Sequence, residues 1–151
     1  MEKSKWYKTA IGKAERNKQS LNYSTMRKYK INFLPKMIER VEGFSHENCK
    51  KCEENKQSID QLLGTTEDMI KGKPVDLKKF KADLKKVLTH LKKDHGLVEE
   101  RQYINQWLVL GLIFGLAFMF VHIYSVSFGL IIGIGLGAML DANAKKNGKQ
   151  L

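Results

Sequence analysis

The feature that most constrains this chain is a run of 34 residues, from Trp107 to Leu140, that contains no Lys, Arg, Asp or Glu. Charged residues make up 28% of the sequence, so an uncharged run of this length does not arise by chance. As a single helix it would extend about 51 Å, whereas the hydrocarbon core of a bilayer is about 30 Å thick. The run therefore predicts a transmembrane hairpin over 103–143, with helices at about 103–121 and 125–143.

The distribution of basic residues predicts the orientation of this hairpin. Lysines are frequent in the N-terminal region and in the tail, whereas the expected turn, from His122 to Ser125, has neither Lys nor Arg. Because basic residues favour the cytosolic side of a membrane, we expect both termini in the cytosol. The alternative is an apolar hairpin buried in a soluble protein, which would need a large partner to cover it.

Glycines recur at four-residue intervals within the predicted hairpin. They are Gly111 and Gly115 in the first helix, and Gly129, Gly133 and Gly137 in the second. This spacing places them on one face of each helix, where the missing side chains allow another backbone to approach closely. Two interpretations stay open: the glycines pack the two helices of one hairpin, or they hold separate chains together in a homo-oligomer.

The rest of the chain predicts helices. Apolar residues recur with helical spacing over about 31–44, 46–63 and 76–95, and no useful strand-like alternation occurs. Asp76 is a candidate N-cap for the third segment, and Gly96 suits the position just after its end. We therefore predict an all-α fold, a cytosolic helical bundle followed by a two-helix transmembrane hairpin. The expected regions are a basic arm that is partly disordered or interfacial (1–30), a small cytosolic helical domain (31–96), a linker (97–102), the hairpin (103–143) and a basic cytosolic tail (144–151).

Four residues have the chemistry of a structural zinc site. Cys49 and Cys52 form a Cys-x-x-Cys pair, and four residues separate His90 from His95. Two thiolates and two imidazoles satisfy tetrahedral zinc, with His46 as a substitute ligand. The 37 residues between the two pairs exceed the spacing of a compact zinc finger, so the prediction requires antiparallel packing of the second and third helices. The alternative is two reduced cysteines beside solvated histidines, with no metal.

The net charge of +11 is concentrated near the N-terminus, because residues 1–30 alone carry a net charge of +7. A basic segment favours polyanions, either anionic lipid headgroups or nucleic acid. A membrane anchor keeps the segment near the lipid surface, which favours the headgroups. The candidate headgroup contacts are Lys3, Lys5, Lys8, Lys13, Arg16, Lys18, Arg27, Lys28, Lys30, Lys145 and Lys146.

The C-terminal part of the chain resembles a group of small, largely uncharacterised bacterial membrane proteins that end in a glycine-zipper-like hairpin. The similar residues are the stretch from His90 to Val98, the glycine-rich hairpin and the tail from Leu140 to Lys149, and Cys49-x-x-Cys52 is a candidate further element. The resemblance covers about 85–151. It implies an integral protein of the cytoplasmic membrane of a bacterium, and it implies no activity.

Enzymatic motifs are missing from the sequence, which has no phosphate-binding loop, nucleophile elbow or His-Glu-x-x-His. We therefore expect a protein that is not an enzyme, and the sequence identifies no small-molecule substrate. The leading hypothesis is a membrane scaffold or interaction protein that self-associates through its glycine faces. The alternatives are a holin-like or toxin-like pore former, and a membrane-tethered, zinc-stapled nucleic-acid binder.

Overall fold

A computed structural model of the chain describes residues 3–118 and 125–151. Within these residues the chain forms seven α-helices and one short 3-10 helix, without strands, which confirms the predicted all-α class. The chain divides into two compact units, a bundle unit up to His95 and a hairpin unit from Gly96 onwards. The elements are α1 (Lys5–Ser20), α2 (Tyr23–Lys28), the 3-10 helix (Ile31–Phe33), α3 (Leu34–His46), α4 (Lys50–Ile70), α5 (Leu77–His95), α6 (Gln102–Ala117) and α7 (Ser125–Lys146).

The bundle unit has its core where α3 meets α1 and α4, and where α4 meets α5. Four apolar residues of α3 follow helical spacing, so they share one face and are completely buried: Leu34, Met37, Ile38 and Val41. Burying each such side chain contributes roughly 1.5–3 kcal/mol, so this face contributes substantially to the stability of the unit. The fully buried large side chains of the three helices include Leu34, Met37, Ile38, Val41, Ile59, Leu62, Leu63, Phe80, Val87 and Leu91.

The N-terminal region differs from the expected arm, because α1 is part of the bundle. Ala10 and Ala14 lie one turn apart and are buried, and helices α3 and α4 pack against α1. Asn17 is also buried, and its Nδ2 donates a hydrogen bond to the Leu63 carbonyl oxygen at 3.2 Å. Small alanines allow α1 to approach closely, while its charged residues stay outside. Because alanine is small, this face of α1 is not visible in the spacing of large apolar residues.

The boundaries of α3 and α4 also differ from the expected segments. Helix α3 continues to His46, and Asn48 then adopts a left-handed conformation with φ of 64°. Helix α4 begins at Lys50, directly after Cys49, and continues past Gly64 to Ile70. The glycine is exposed and lies in the helix without ending it, so the helix continues beyond the expected end at residue 63.

Helix α5 begins and ends as its sequence predicts. The Asp76 side chain accepts hydrogen bonds from the backbone N–H groups of Lys78 at 2.9 Å and Lys79 at 3.0 Å. At the other end Gly96 has φ of 62°, a left-handed conformation that glycine adopts without a steric penalty. The helix therefore has a defined start and end, which fixes where His90 and His95 lie.

In the hairpin unit, α6 and α7 pack in antiparallel fashion through their glycines. A Cβ atom added to Gly137 would lie 2.5 Å from the Ile104 Cα, and one added to Gly115 would lie 2.7 Å from the Val126 Cα. Gly111, Gly129 and Gly133 would likewise clash with facing backbone. Of the two interpretations of the glycine rows, the structure shows packing within one hairpin.

Helix α7, with 22 residues, is long and apolar enough to cross a membrane. Helix α6 is apolar but shorter, with 16 residues in the described part of the chain. At 1.5 Å per residue it extends about 24 Å, less than the bilayer core. The expected end of the first transmembrane helix at 121 and the expected turn at 122–124 lie outside the described residues.

The last residues fold back onto the start of the hairpin unit, although we expected a separate tail. Gly148, with φ of 65°, follows the end of α7, and the Lys149 N–H donates to the Ala144 carbonyl oxygen at 2.9 Å. This arrangement is a Schellman motif, which turns the chain away from the helix axis. Val98 then pairs with the terminal segment through two 2.8 Å hydrogen bonds, and Leu151 is completely buried.

Candidate metal centre

The local structure of α4 and α5 brings Cys49, Cys52, His90 and His95 together. Cys49 is the residue that precedes α4, and Cys52 lies in the first turn, where its N–H donates to the Cys49 carbonyl oxygen at 3.0 Å. The two histidines lie near the end of α5. Because α4 and α5 pack as consecutive helices joined by a short turn, the start of one lies beside the end of the other.

The ligand atoms of these residues have the spacing of a tetrahedral metal site. The His90 Nε2 lies 3.4 Å from the Cys49 Sγ and 3.2 Å from the Cys52 Sγ, and the His95 Nε2 lies 3.3 Å from the Cys52 Sγ. All four atoms lie within 4.8 Å of one another. Standard zinc–sulfur and zinc–nitrogen bonds in a tetrahedron separate S from N by about 3.5 Å. The group is therefore compatible with a structural zinc site.

The His90 ring is held in the orientation that a metal ligand needs. Its Nδ1 lies 2.5 Å from the Asp94 Oδ2, one turn further along α5. The hydrogen bond from His90 lowers the pKa of the Asp94 carboxyl. The carboxylate therefore acts as the acceptor of this hydrogen bond, and Nδ1 acts as the donor. The lone pair of Nε2 is then directed at the thiols. A carboxylate behind a ligating histidine is the usual outer partner in zinc proteins.

The His95 ring is held by stacking rather than by a hydrogen bond. It lies parallel to the Phe44 ring, with centroids 3.7 Å apart, and meets the His90 ring edge-on at 5.0 Å. Burial, together with the nearby His90, lowers the pKa of His95 and favours the neutral imidazole that binds metal. Phe44 belongs to α3, so a third helix supports the centre.

Cys52 is completely buried, and burial raises the pKa of its thiol to about 12. A divalent cation favours the thiolate by displacing this proton. Two thiolates, two neutral imidazoles and Zn²⁺ sum to zero charge, which suits a buried position. Four protein ligands complete the tetrahedron, so the geometry is that of a structural site and leaves no position for a substrate.

His46, the substitute ligand considered from the sequence, lies outside this group. Its Nε2 lies 3.1 Å from the Glu42 Oε1, within a separate network. The buried Glu42 also accepts from the Ser4 N–H at 2.8 Å, and the Lys56 Nζ lies 3.3 Å from its other oxygen. Burial alone would raise the pKa of Glu42, but the hydrogen bonds from Ser4, His46 and Lys56 outweigh it and lower the pKa to about 2.

The burial of Glu42 was not predicted from the sequence, although the sequence contains a signal for it. Glu42 lies four residues after Ile38 and next to Val41, which places it at the edge of the apolar face of α3. Its partners come from the N-terminus, α3 and α4. The network therefore joins three parts of the bundle around one buried charge.

Asp141 has a structural role that sequence reasoning also missed. Its two carboxylate oxygens accept from the backbone N–H groups of Tyr103 at 3.2 Å and Ile104 at 3.0 Å. These are free N–H groups in the first turn of α6, whose own N-cap residue, Arg101, makes no side-chain capping bond. Asp141 therefore caps the neighbouring helix. The signal was its place in the row after Gly129, Gly133 and Gly137, on the face that α6 covers.

The candidate headgroup contacts are distributed over both units. Lys13 and Lys30 are half-buried and the other nine are exposed. Lys3 also lies over the Tyr7 ring, with its Nζ 4.2 Å from the ring centroid. Exposure makes these side chains available for contact with an anionic surface.

Comparison with known proteins finds no relative of this chain. No protein-family model matches the chain, and no curated protein or solved structure matches it significantly. The resemblance to glycine-zipper-like bacterial membrane proteins therefore stays a prediction.

Proposed function

We propose that this protein is a bacterial membrane-anchored scaffold or interaction protein whose cytosolic helical bundle is fastened by a structural zinc ion. The observation that carries the proposal is the Cys49–Cys52–His90–His95 group, with its ligand atoms within 4.8 Å of one another. A complete protein ligand set favours a structural rather than a catalytic role. The zinc would join the start of α4 to the end of α5.

The hairpin unit supports the anchoring role, because its large side chains point away from the α6–α7 contact. A soluble protein rarely exposes such a continuous apolar surface, whereas lipid tails solvate it. Glycine packing between helices is typical of membrane proteins, since lipid provides no hydrophobic force to hold helices together. The side chains that are more than half exposed are Val109, Ile113, Phe114, Phe118, Phe128, Ile131, Ile132 and Met139.

The glycine rows bear on self-association. The glycine faces of α6 and α7 already contact each other within the hairpin. A homo-oligomer formed through these faces would therefore require α6 and α7 to separate. We therefore take the packed hairpin as the anchoring unit. A pore former would need a polar face, but residues 107–118 are all apolar or glycine, and α7 has only Ser125 and Ser127 as polar residues before Asp141.

Metal analysis tests the zinc proposal. The full-length protein is purified in detergent without chelator, and its metal content is measured by mass spectrometry. We expect about one zinc per chain, and its loss in a Cys49→Ser/Cys52→Ser variant. His46→Gln is the matched control, because it removes a nearby histidine outside the group and should retain the metal. A wild-type protein that stays free of zinc after zinc addition would contradict the proposal.

Membrane extraction tests the anchor. After alkaline carbonate treatment of bacterial membranes, the full-length protein should stay in the membrane pellet, whereas peripheral proteins are released. A fluorescent reporter that matures only in the cytosol, fused after Leu151, should fluoresce if the C-terminus is cytosolic. Release of the protein by carbonate would exclude an integral anchor, and a dark but full-length fusion would reverse the orientation.

A further inference from the structure

A groove of about 570 Å³ runs between α4 and α5, beside the metal centre. Its lining residues follow helical spacing on both helices, so each helix contributes one continuous face. Lys51 and Asn55 come from α4, and Lys85, Lys86 and Lys93 come from α5. Ala82 and Thr89 also line the groove, and their small side chains leave space between the two helices.

The walls of this groove have an excess of positive charge. Lys51, Lys85, Lys86 and Lys93 face only two carboxylates, Glu54 and Asp94, and Asp94 is already bonded to His90. Lys51 lies 3.9 Å from Asp94. In the described part of the chain, no carboxylate lies within ion-pair distance of the other three lysines. Ammonium groups around one concave surface repel each other, and an anion between them removes this repulsion.

A buried amide lines the same groove. Asn55 is only 2% exposed, and its Nδ2 has no hydrogen-bond partner among the described residues. Buried polar groups in folded proteins are nearly always paired, so an unpaired donor needs an explanation. An anion that enters the groove would offer an acceptor oxygen beside the lysines. The amide is an observation independent of the charge count, and it points to the same kind of ligand.

The lysine-rich walls of the groove reflect an uneven distribution of charge along the sequence, which the net charge of the whole chain does not show. Residues 71–95 carry nine lysines and three aspartates, a net charge of +6, whereas residues 31–70 carry a net charge of −3. Outside the basic N-terminal region, the basic excess of the bundle unit is therefore concentrated on α5 and the turn before it. The groove is where part of this lysine face meets α4.

We propose that the α4–α5 groove is a binding site for a phosphate group. Several lysines around a concave site suit phosphate, because each ammonium donates to separate oxygens of a multiply charged anion. Lys51, Lys85, Lys86 and Lys93 supply charge, and the Asn55 amide supplies a directed donor. The phosphate belongs either to a soluble phosphorylated molecule or to a lipid headgroup. This site is distinct from the metal centre, with which it shares only His90 and its partner Asp94.

The test uses the full-length, zinc-loaded protein in nanodiscs of phosphatidylcholine. Inorganic phosphate is titrated at low ionic strength, and binding is followed by the NMR resonances of the Asn55 side-chain amide. A second arm replaces part of the lipid by phosphatidylglycerol, with no added phosphate. Lys85→Gln/Lys86→Gln is the test variant. Lys78→Gln/Lys79→Gln is the matched control, since it removes the same charge from exposed positions of α5 outside the groove.

We expect phosphate or phosphatidylglycerol to shift the Asn55 resonances, the test variant to weaken binding at least tenfold, and the control to stay within twofold of wild type. A shift with free phosphate identifies a soluble source, and a shift only with phosphatidylglycerol identifies a headgroup. Equal weakening in both variants, or no shift in either arm, overturns the proposal. If the double variant fails to fold, the exposed Lys93→Gln replaces it. Zinc content is measured on every sample, so loss of the metal centre is distinguished from loss of the groove.

Discussion

The bundle unit buries large apolar side chains, such as Leu34 and Ile59, and keeps most of its charged side chains at the surface, whereas the hairpin unit buries glycines and exposes residues such as Ile131. Both units are helical, so the difference does not come from secondary structure. The difference is the one that the proposed function predicts, in which the bundle meets water and the hairpin meets lipid. In water, association is driven by burial of apolar surface; in lipid, it depends on close backbone contact, which small residues permit.

The two units nevertheless use polar groups in a similar way. Each has a buried carboxylate that accepts backbone hydrogen bonds from a distant segment: Glu42 in the bundle accepts one, and Asp141 in the hairpin accepts two. In the bundle, the candidate metal centre adds a second link, between the start of α4 and the end of α5. The comparison therefore predicts that removing metal affects one unit, and that adding a side chain at a glycine affects the other.

Removing the metal ligands should have the largest effect. Structural zinc contributes on the order of 10 kcal/mol to small domains, so Cys52→Ser should expose the α4 and α5 amides to hydrogen exchange and leave α6 and α7 protected. Hydrogen exchange with mass spectrometry on the full-length protein in nanodiscs measures both units at once. Unchanged protection of α4 and α5 would mean that the bundle does not depend on metal.

Gly133→Leu should have the next largest effect, confined to the hairpin. A side chain at this position collides with the backbone near Trp107, and overpacking of this kind costs about 3 kcal/mol. Gly135→Leu is the matched control, because a Cβ atom there meets nothing within 4 Å. Spin labels on α6 and α7 should report a longer distance in the first variant only. An equal change in both variants would argue against packing through the glycine rows.

Glu42→Gln should destabilise the bundle by about 2 kcal/mol at pH 6, with a defined pH dependence. The pKa of Glu42 is about 2 in the folded protein and near 4.5 without its partners, so its contribution is complete above pH 4.5 and is lost as the pH falls towards 2. The difference in the free energy of unfolding between wild type and variant should therefore shrink between pH 5.5 and pH 3. The metal ligands are the same in both proteins, so the difference isolates Glu42. A constant difference would contradict the assignment.

Asp141→Asn should have the smallest effect, about 1 kcal/mol on the hairpin. Asparagine keeps the size of the side chain but has one acceptor oxygen for two N–H groups, and it removes the negative charge at the start of α6. Hydrogen exchange at Tyr103 and Ile104 should accelerate, while the bundle stays unchanged. The exposed Asn143→Ala provides the control. No acceleration at these two amides would show that they are satisfied in another way.

Much of the candidate metal centre could be predicted from the sequence, because ligand type and spacing are local properties. The Cys-x-x-Cys pair and the two histidines lie on helices that the pattern predicts, and consecutive helices usually pack against each other. The contacts that hold the two histidine rings were harder to predict from the sequence. Asp94 lies one turn after His90 and could have been found by its spacing, but Phe44 reaches His95 from another helix.

By itself, the sequence determined the helical class, the uncharged run from Trp107 to Leu140 and the residues able to hold a metal. Each of these depends on periodicity, composition or side-chain chemistry within one segment. Only the tertiary structure decided that α1 joins the bundle, that Glu42 is buried, that Asp141 caps α6 and that the glycines meet within one chain. Burial and capping depend on surfaces brought together from distant parts of the chain, and a small or polar residue gives little local sign of the partner that covers it.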